Sequence, residues 1–377
     1  MPAKKESSNL LPIVDKKDRG KAKLWQKDQQ KKHWRRNLFR FGWLIALLVV
    51  GTLIWQVISF KNFLERPFQK LPGEISYRTN INFNSRVNLL LLSLSYDNKV
   101  KSLVIASYDG LNKGLDLFPI PSEVYLDAPH SLGPVTIASL YNRGNFQGNQ
   151  GVKYLLKGVE EVLAIPLDGY LGVVNFSDDE LENVLSESSI KEADESLKDI
   201  FFFFNFLNYK SWGEKHLKTN LSLTNLIDLT WKVREVRYDR FKYYQTQDLF
   251  LKKTTGANVE ERVLDDIKAD PLLDTIFNDP VVVEERLTVE VKNGTEKSGL
   301  GGEAARFITR LGAKVNHVGN ADSKVKETLI YDYQGENQTV LRIRDALGVG
   351  KIVRQKSEVV SKEDIQVILG EDYQKSL

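Results

Sequence analysis

Residues 87–94 read VNLLLLSL, a short run that is apolar on both side-chain parities. A strand with one wet face would alternate with period two, so this run is predicted as a strand buried on both faces, with material packed above and below it. Outward from it, residues 101–107 (KSLVIAS) and 115–120 (LDLFPI) repeat the theme, and Asp109, Gly110, Asn112, Lys113 and Gly114 between them supply turn chemistry. Residues 148–163 set Val152, Leu155, Leu156, Val159 and Leu163 at helical spacing, and residues 165–176 (IPLDGYLGVVNF) return to a strand pattern. Strand, helix, strand is the order of an α/β domain with helices laid on a sheet.

Further along, residues 177–200 are acidic and helix-prone, and Phe201, Phe202, Phe203, Phe204 and Phe206 follow them. Such a cluster reads as core, or as an apolar trough for a lipid chain or a partner. In residues 221–240 a helix is expected from Leu226, Leu229, Trp231 and Val233. Arg234, Arg237 and Arg240 at three-residue intervals would then form one stripe, either solvated or facing an anionic partner. Residues 246–286, with Pro271 and Pro280, read as a charged connector. Residues 287–377 then alternate regularly: strands at 287–291, 314–318, 328–333, 351–353 and 364–369, with helices near 301–311 and 338–347. This second α/β unit is large enough to fold alone. Asn293-Gly294 is expected to make a positive-φ turn and Gly312 a helix stop.

Near the amino terminus, residues 41–60 (FGWLIALLVVGTLIWQVISF) contain no charge; as a helix they reach about 30 Å, the hydrocarbon thickness of a bilayer. Trp43 and Trp55 near its ends suit the membrane interfaces. A cleaved signal peptide has a shorter apolar core and a small-residue exit, whereas residues 59–67 read SFKNFLERP, so an uncleaved anchor is expected. Lys27, Lys31, Lys32, Arg35, Arg36 and Arg40 precede the span, while only Lys61 and Arg66, offset by Glu65, follow it. This asymmetry keeps the amino terminus cytoplasmic.

Composition bounds the chemistry. The 377 residues are 42% hydrophobic and 27% charged, with no cysteine, which excludes disulfides, thiolate zinc sites, iron–sulfur clusters and a cysteine nucleophile. The four histidines, His33, His130, His216 and His317, have no HExxH spacing. Residues 1–40 hold 13 Lys+Arg against 4 Asp+Glu and the remainder 40 against 46, giving the net +3. A basic tail on an acidic body suits a juxtamembrane segment and argues against a nucleic-acid groove in the folded part. No Walker, G-x-G-x-x-G or G-x-S-x-G motif is present.

Residues 289–333, VEVKNGTEKSGLGGEAARFITRLGAKVNHVGNADSKVKETLIYDY, closing with EDIQVILGEDY at 363–373, closely resemble the LytR-type C-terminal domain of bacterial envelope proteins. Residues 87–176 resemble the LytR-CpsA-Psr domain in framework: VNLLLLSLS, LFPIPSEVYLD and GVKYLLKGVEEVLAIPLDGYLGVVNF. Active members of that family transfer undecaprenyl-diphosphate-linked glycopolymers to peptidoglycan with arginines, aspartates and a divalent metal. Here the chemistry has gone from the matching positions. Ser93, Ser95 and Asp97 stand at the family's GxDxR-like element, Lys101, Ser102 and Leu103 at its Arg-Ser-Asp. Pro121, followed by Ser122, Glu123 and Val124, stands at its Pro-Arg-Asp-Thr. A diphosphate leaving group needs guanidinium forks or a metal held by carboxylates, and losing one such donor costs about 10² to 10³ in rate.

The resemblance therefore implies a single transmembrane helix followed by a degenerate, mixed-sheet LytR-CpsA-Psr-like α/β domain and a small α/β C-terminal domain. The boundaries are a cytoplasmic tail over 1–40, the helix over 41–60, the first domain over 75–245, the connector over 246–286 and the LytR-type domain over 287–377. The function implied is binding or scaffolding in cell-wall glycopolymer assembly at the cell membrane, outside the cytoplasm. Candidate partners are the membrane, polyprenyl-linked glycopolymer and peptidoglycan, with no nucleic acid, catalytic residue, metal ligand or cofactor. The alternative is a divergent active phosphotransferase using Mg²⁺, with Arg86, Arg143, Asp109 and Asp116 as candidate substrate-binding groups. A transcriptional regulator, which the historical family name suggests, is disfavoured because the forty cytoplasmic residues contain no helix-turn-helix. Protease added to intact cells is expected to digest the carboxyl-terminal domain; a domain left untouched despite full access overturns the topology.

Overall fold

Sixteen strands and eight helices in the computed structural model carry the described part of the chain: residues 56, 58–59, 67–71, 81–95, 99–128, 133–174, 217–255, 259–335, 337–354 and 362–376. The chain divides into two compact units, Met1–Leu64 and Glu65–Leu377. In the first, Gln56, Ile58 and Ser59 are helical, and the tail 1–40 and the rest of segment 41–60 lie outside the described residues. So do the acidic stretch 177–200 and the phenylalanine cluster 201–206. Among the described residues no helix is long and apolar enough to cross a membrane.

The second unit opens with β1 (Pro67–Gln69), β2 (Arg86–Leu94), β3 (Val100–Asp109) and β4 (Gly114–Ile120). A hairpin of β5 (Tyr125–Ala128) and β6 (Gly133–Thr136) leads into α1 (Ile137–Phe146) and α2 (Gly151–Leu163). Then come β7 (Gly169–Val174), β8 (Leu217–Ser222), α3 (Leu223–Arg234) and β9 (Phe241–Tyr243). The first sheet runs β1-β8-β7-β2-β3-β4-β9, with β2 parallel to β7 and antiparallel to β3. The strand predicted to be buried on both faces is so buried, in the middle of this sheet. Its alternate side chains enter two cores: Leu90, Leu92 and Leu94 pack with α1 and α2, while Val87, Leu89 and Leu91 pack beneath α3. All five residues expected on one face of the second helix, Val152, Leu155, Leu156, Val159 and Leu163, are buried. Each contributes about 1.5 to 3 kcal/mol by leaving water.

Helix α3 is capped by Ser222, whose side chain accepts from the Asn225 N–H, and it stops at Arg234. The stripe expected from Arg234, Arg237 and Arg240 on one helix is therefore not formed. The N–H of Glu235 turns back to the Lys232 carbonyl, tightening the last turn, and the chain then leaves to lay β9 along β4.

Residues 246–286 are more than the connector expected from their charge. They form the hairpin β10 (Phe250–Thr255) and β11 (Val259–Leu264), then α4 (Asp266–Phe277) and α5 (Pro280–Glu285). Ala269, Leu273, Ile276 and Phe277 of α4 complete the core beneath α1 and α2, where the Phe277 ring meets Phe118 edge-on with centroids 5.7 Å apart.

The last sheet contains β12 (Thr288–Asn293), β13 (Lys314–Asn320), β14 (Leu329–Asp332), β15 (Lys351–Arg354) and β16 (Ile365–Leu369), ordered β13-β12-β16-β14-β15. Helices α6 (Leu300–Arg310) and α7 (Gln338–Leu347) pack Ala304, Ile308, Val340 and Ile343 against Val289, Val291, Ile330 and Val367, and α8 (Glu371–Ser376) closes the chain. This is the alternation expected from sequence. Gly312 stops α6 at φ +99°, but Gly294 does not take positive φ. The turn there is made by the Asn293 carboxamide, which accepts from the Thr295 N–H and hydroxyl. Gly294 is needed for room: a Cβ would lie 2.7 Å from Val325 and 2.8 Å from the Leu369 carbonyl.

An acidic stripe on α4 fixes α6. Asp266, Asp270 and Asp274 fall at four-residue intervals, and Arg306 and Arg310 face them at the same interval. Arg310, 1% exposed, donates to the Asp270 carboxylate at 2.6 Å, to its carbonyl at 2.9 Å, and to Asp274. Burial raises the Asp270 carboxyl, but hydrogen bonds from Arg310 and Arg306 outweigh it and hold it below the ordinary 3.8. Its contribution to stability is thus full above that value and is lost as pH falls through the depressed folded one. Because Asp270 and Asp274 stay partly wet, Arg310→Ala is expected to lower denaturant stability by about 1.5 to 3 kcal/mol, whereas Asp266→Asn, at the wet end, changes it by less than about 1 kcal/mol.

Candidate functional site

Because β2 and β3 are antiparallel, Arg86 stands opposite Asp109 at one end of the pair and Leu94 opposite Val100 at the other. Eight steps at about 3.3 Å separate the ends of β2 by roughly 26 Å. Three of the four candidate residues meet at the Arg86 end. The Arg86 guanidinium donates to Asp109 at 2.8 Å, to Asp116 at 3.3 Å and to the Ser107 hydroxyl at 3.2 Å. Its side chain is 5% exposed, and its Nε is buried without a hydrogen-bond partner. Arg143 is elsewhere, exposed on α1.

Each partner is itself held. Asp109 accepts from the N–H groups of Leu111 and Asn112 and from the Asn112 carboxamide, so it shapes the β3–β4 turn. Ser107 donates to Asn88 at 2.7 Å, and the Asn88 N–H donates to Asp168 at 2.8 Å. Asp116 accepts from the Tyr244 hydroxyl at 3.1 Å. Burial pushes the Asp116 carboxyl above its usual range, against the opposing pull of Arg86 and Tyr244. Burial, then Asp116, pushes the Tyr244 phenol up as well.

The network continues into the last domain. The Arg86 carbonyl accepts from Arg342 of α7 at 2.7 Å, and Arg342 Nε lies 2.6 Å from Asp279, which is fully buried. Burial raises the Asp279 carboxyl, with Arg342 opposing. Arg342 was not among the sequence candidates; it lies 256 residues from Arg86, and no local pattern marks it.

Around this network is a cavity of about 580 Å³, walled on one side by Arg86, Asp116 and Lys242 and on the other by Thr275, Asn278 and Glu284. Its charges are mixed, and its buried guanidinium is already engaged by two carboxylates. The arrangement suits a fixed structural junction better than a cradle for a diphosphate, which needs donors with unspent capacity. Among the described residues no three acidic or histidine side chains converge as a metal cage would require.

The opposite end of the sheet holds the residues that the sequence resemblance set against the LytR-CpsA-Psr elements. Ser93 is buried, and the Ser95 hydroxyl closes a short turn with the Lys99 carbonyl at 3.1 Å. Lys101 is exposed, and Glu123 lies 3.7 Å from Arg262 of β11. Asp97 lies outside the described residues. Arg86, Asp109 and Asp116 therefore do not rebuild a charged site there: the length of the strand separates them from it.

Residues 286–373 match the LytR_C family, described as the LytR cell envelope-related transcriptional attenuator. The resemblance of the last domain to LytR-type C-terminal domains is thus shown. No curated protein matches the chain. Solved structures similar to it include a LytR-CPS2A-psr family protein, YwtF (TagT), with bound octaprenyl pyrophosphate lipid, at 17% identity, TM-score 0.34, 55% of this chain and 93% of that one. TagV of Bacillus subtilis is similar at 14% identity and TM-score 0.36 over 51% and 95% of the two chains. A transcriptional regulator of Enterococcus faecalis is similar at 11% identity and TM-score 0.40 over 62% and 92%.

Arg86→Ala leaves Asp109 and Asp116 without their cation and is expected to cost about 3 to 5 kcal/mol of stability by denaturant titration. The Asp116 effect has the opposite pH sign to that of Asp270. A carboxyl raised above 3.8 on folding favours the folded state at acid pH, and that benefit is lost as pH rises through the raised value. Asp116→Asn should remove this falling segment from the stability–pH curve.

Proposed function

We propose that this chain is a membrane-anchored, extracytoplasmic envelope protein that binds or scaffolds polyprenyl-linked glycopolymer during cell-wall assembly, without catalysing its transfer. The envelope assignment is supported by the carboxy-terminal family match over residues 286–373. The ligand class follows from the framework resemblance of residues 87–176, and the anchor from the uncharged segment 41–60.

One observation carries the non-catalytic reading. Ser95, Leu103 and Ser122 occupy positions where the family's elements place Asp, Asp and Arg, and the buried Arg86 cluster sits roughly 20 to 30 Å away along β2. Phosphoryl transfer is positioning plus charge stabilisation, with little covalent work for the protein; without cations aimed at the diphosphate, binding survives and acceleration does not.

Full-length protein reconstituted into vesicles containing a polyprenyl-diphosphate oligosaccharide tests this. Saturable binding with no release of polyprenyl phosphate, with or without Mg²⁺, is the expected result. Metal-dependent release would establish the divergent phosphotransferase instead, and absence of binding would remove both readings.

A further inference from the structure

Residues 231–243, WKVREVRYDRFKY, hold five Lys and Arg against two acids, in a protein whose residues 41–377 have a net acidic balance. Both acids are neutralised locally: Glu235 by Lys113 at 2.8 Å and Asp239 by Arg237 at 3.1 Å. The segment runs from the last turn of α3 into β9, the edge strand of the first sheet. The β3–β4 turn lies against it, because Arg240 donates to the Asn112 carbonyl and Lys113 reaches Glu235.

Four large side chains project from this edge. Trp231 is 46% exposed, Tyr238 41%, Tyr243 49% and Leu111, at the tip of the turn, 48%. The Arg234 guanidinium lies 5.5 Å from the centre of the Trp231 ring, so cation and aromatic share one patch. Tryptophan and tyrosine with lysine and arginine is the composition of a surface that rests at lipid headgroups, where rings sit among the glycerol groups and cations meet lipid phosphate. Leu111 discriminates between lipid and a hydrated anionic polymer. An aliphatic side chain at a turn tip gains nothing from a polymer in water, but it is stabilised by entering the acyl boundary.

We infer that this edge seats the first domain on an anionic bilayer surface, with Leu111, Trp231, Tyr238 and Tyr243 at headgroup depth and Lys232, Arg234 and Arg237 facing lipid phosphate. The inference deepens the proposed function and rests on its anchoring reading, since a span over 41–60 would hold the domain beside the membrane.

The absence of cysteine makes the test clean: Leu111→Cys and, as a control on α1, Phe146→Cys each carry one polarity-sensitive dye on the full chain. In vesicles containing phosphatidylglycerol, the dye at 111 should shift to the blue and be quenched by bilayer-embedded quencher. It should not do so in phosphatidylcholine alone, and the dye at 146 should stay wet in both. Combined Lys232→Gln, Arg234→Gln and Arg237→Gln should lower the seated-to-unseated ratio about a hundredfold, at roughly fivefold per charge. A dye at 111 that stays wet in anionic vesicles overturns the inference, as does a dye that responds to soluble polyphosphate in place of lipid. Retention in alkali-washed vesicles reads the anchor separately. If the chain washes out, the anchoring reading fails, and the same dye response with added vesicles still decides the seating.

Discussion

Strand β2 is covered on both faces, and that constraint organises the domain around it. A single layer of helices would leave half of its leucines wet, so the chain must supply two separate cores, one under α1, α2 and α4 and one under α3. With its flanks committed to packing, β2 can present chemistry only at its ends. One end carries Arg86 and the junction to the last domain; the other carries Ser93 and Ser95.

The junction is ionic where the cores are apolar. Arg310 and Arg342 reach from the last domain to Asp270, Asp274, Asp279 and the Arg86 carbonyl, and both are largely removed from water. Buried pairs of this kind add little net energy over an apolar contact of the same shape, yet deleting one partner is costly, so they fix geometry more than they add affinity. Glu285 adds a related device. Its carboxylate accepts from the N–H groups of Gln338 and Thr339 at the start of α7, taking up amides the helix cannot satisfy and placing negative charge at its positive end.

Strand and helix order was largely legible because period-two and period-3.6 patterns are local. The amphipathic set in α2 and the regular alternation after residue 287 both appear where sequence puts them. Two local readings failed for physical reasons. Pro271 and the surrounding charges masked Ala269, Leu273, Ile276 and Phe277, whose helical spacing was present in the sequence and whose burial makes α4 part of the first core. The arginines after α3 looked periodic, but a three-residue interval does not oblige the backbone to stay helical once an edge strand must be reached. The meeting of Arg86, Asp109 and Asp116 depends on strand register, and the partners of Arg310 and Arg342 on domain packing, so neither was readable locally.

The wiring of the first sheet also sets the order in which it can be completed. Strands β2, β3 and β4 form a meander from neighbouring segments, but β4 waits for β9, pairing Leu115 with Phe241, and β1 waits for β8, pairing Pro67 with Ser222. The β2 flank is sealed by β7 and then β8, complete at Ser222, whereas the β4 flank stays open until β9 is delivered at residue 243, and loop closures of this span slow assembly. During synthesis the β4 edge of the nascent meander presents unpaired amides and carbonyls longest, so this protein is most vulnerable to mispairing there just before β9 arrives.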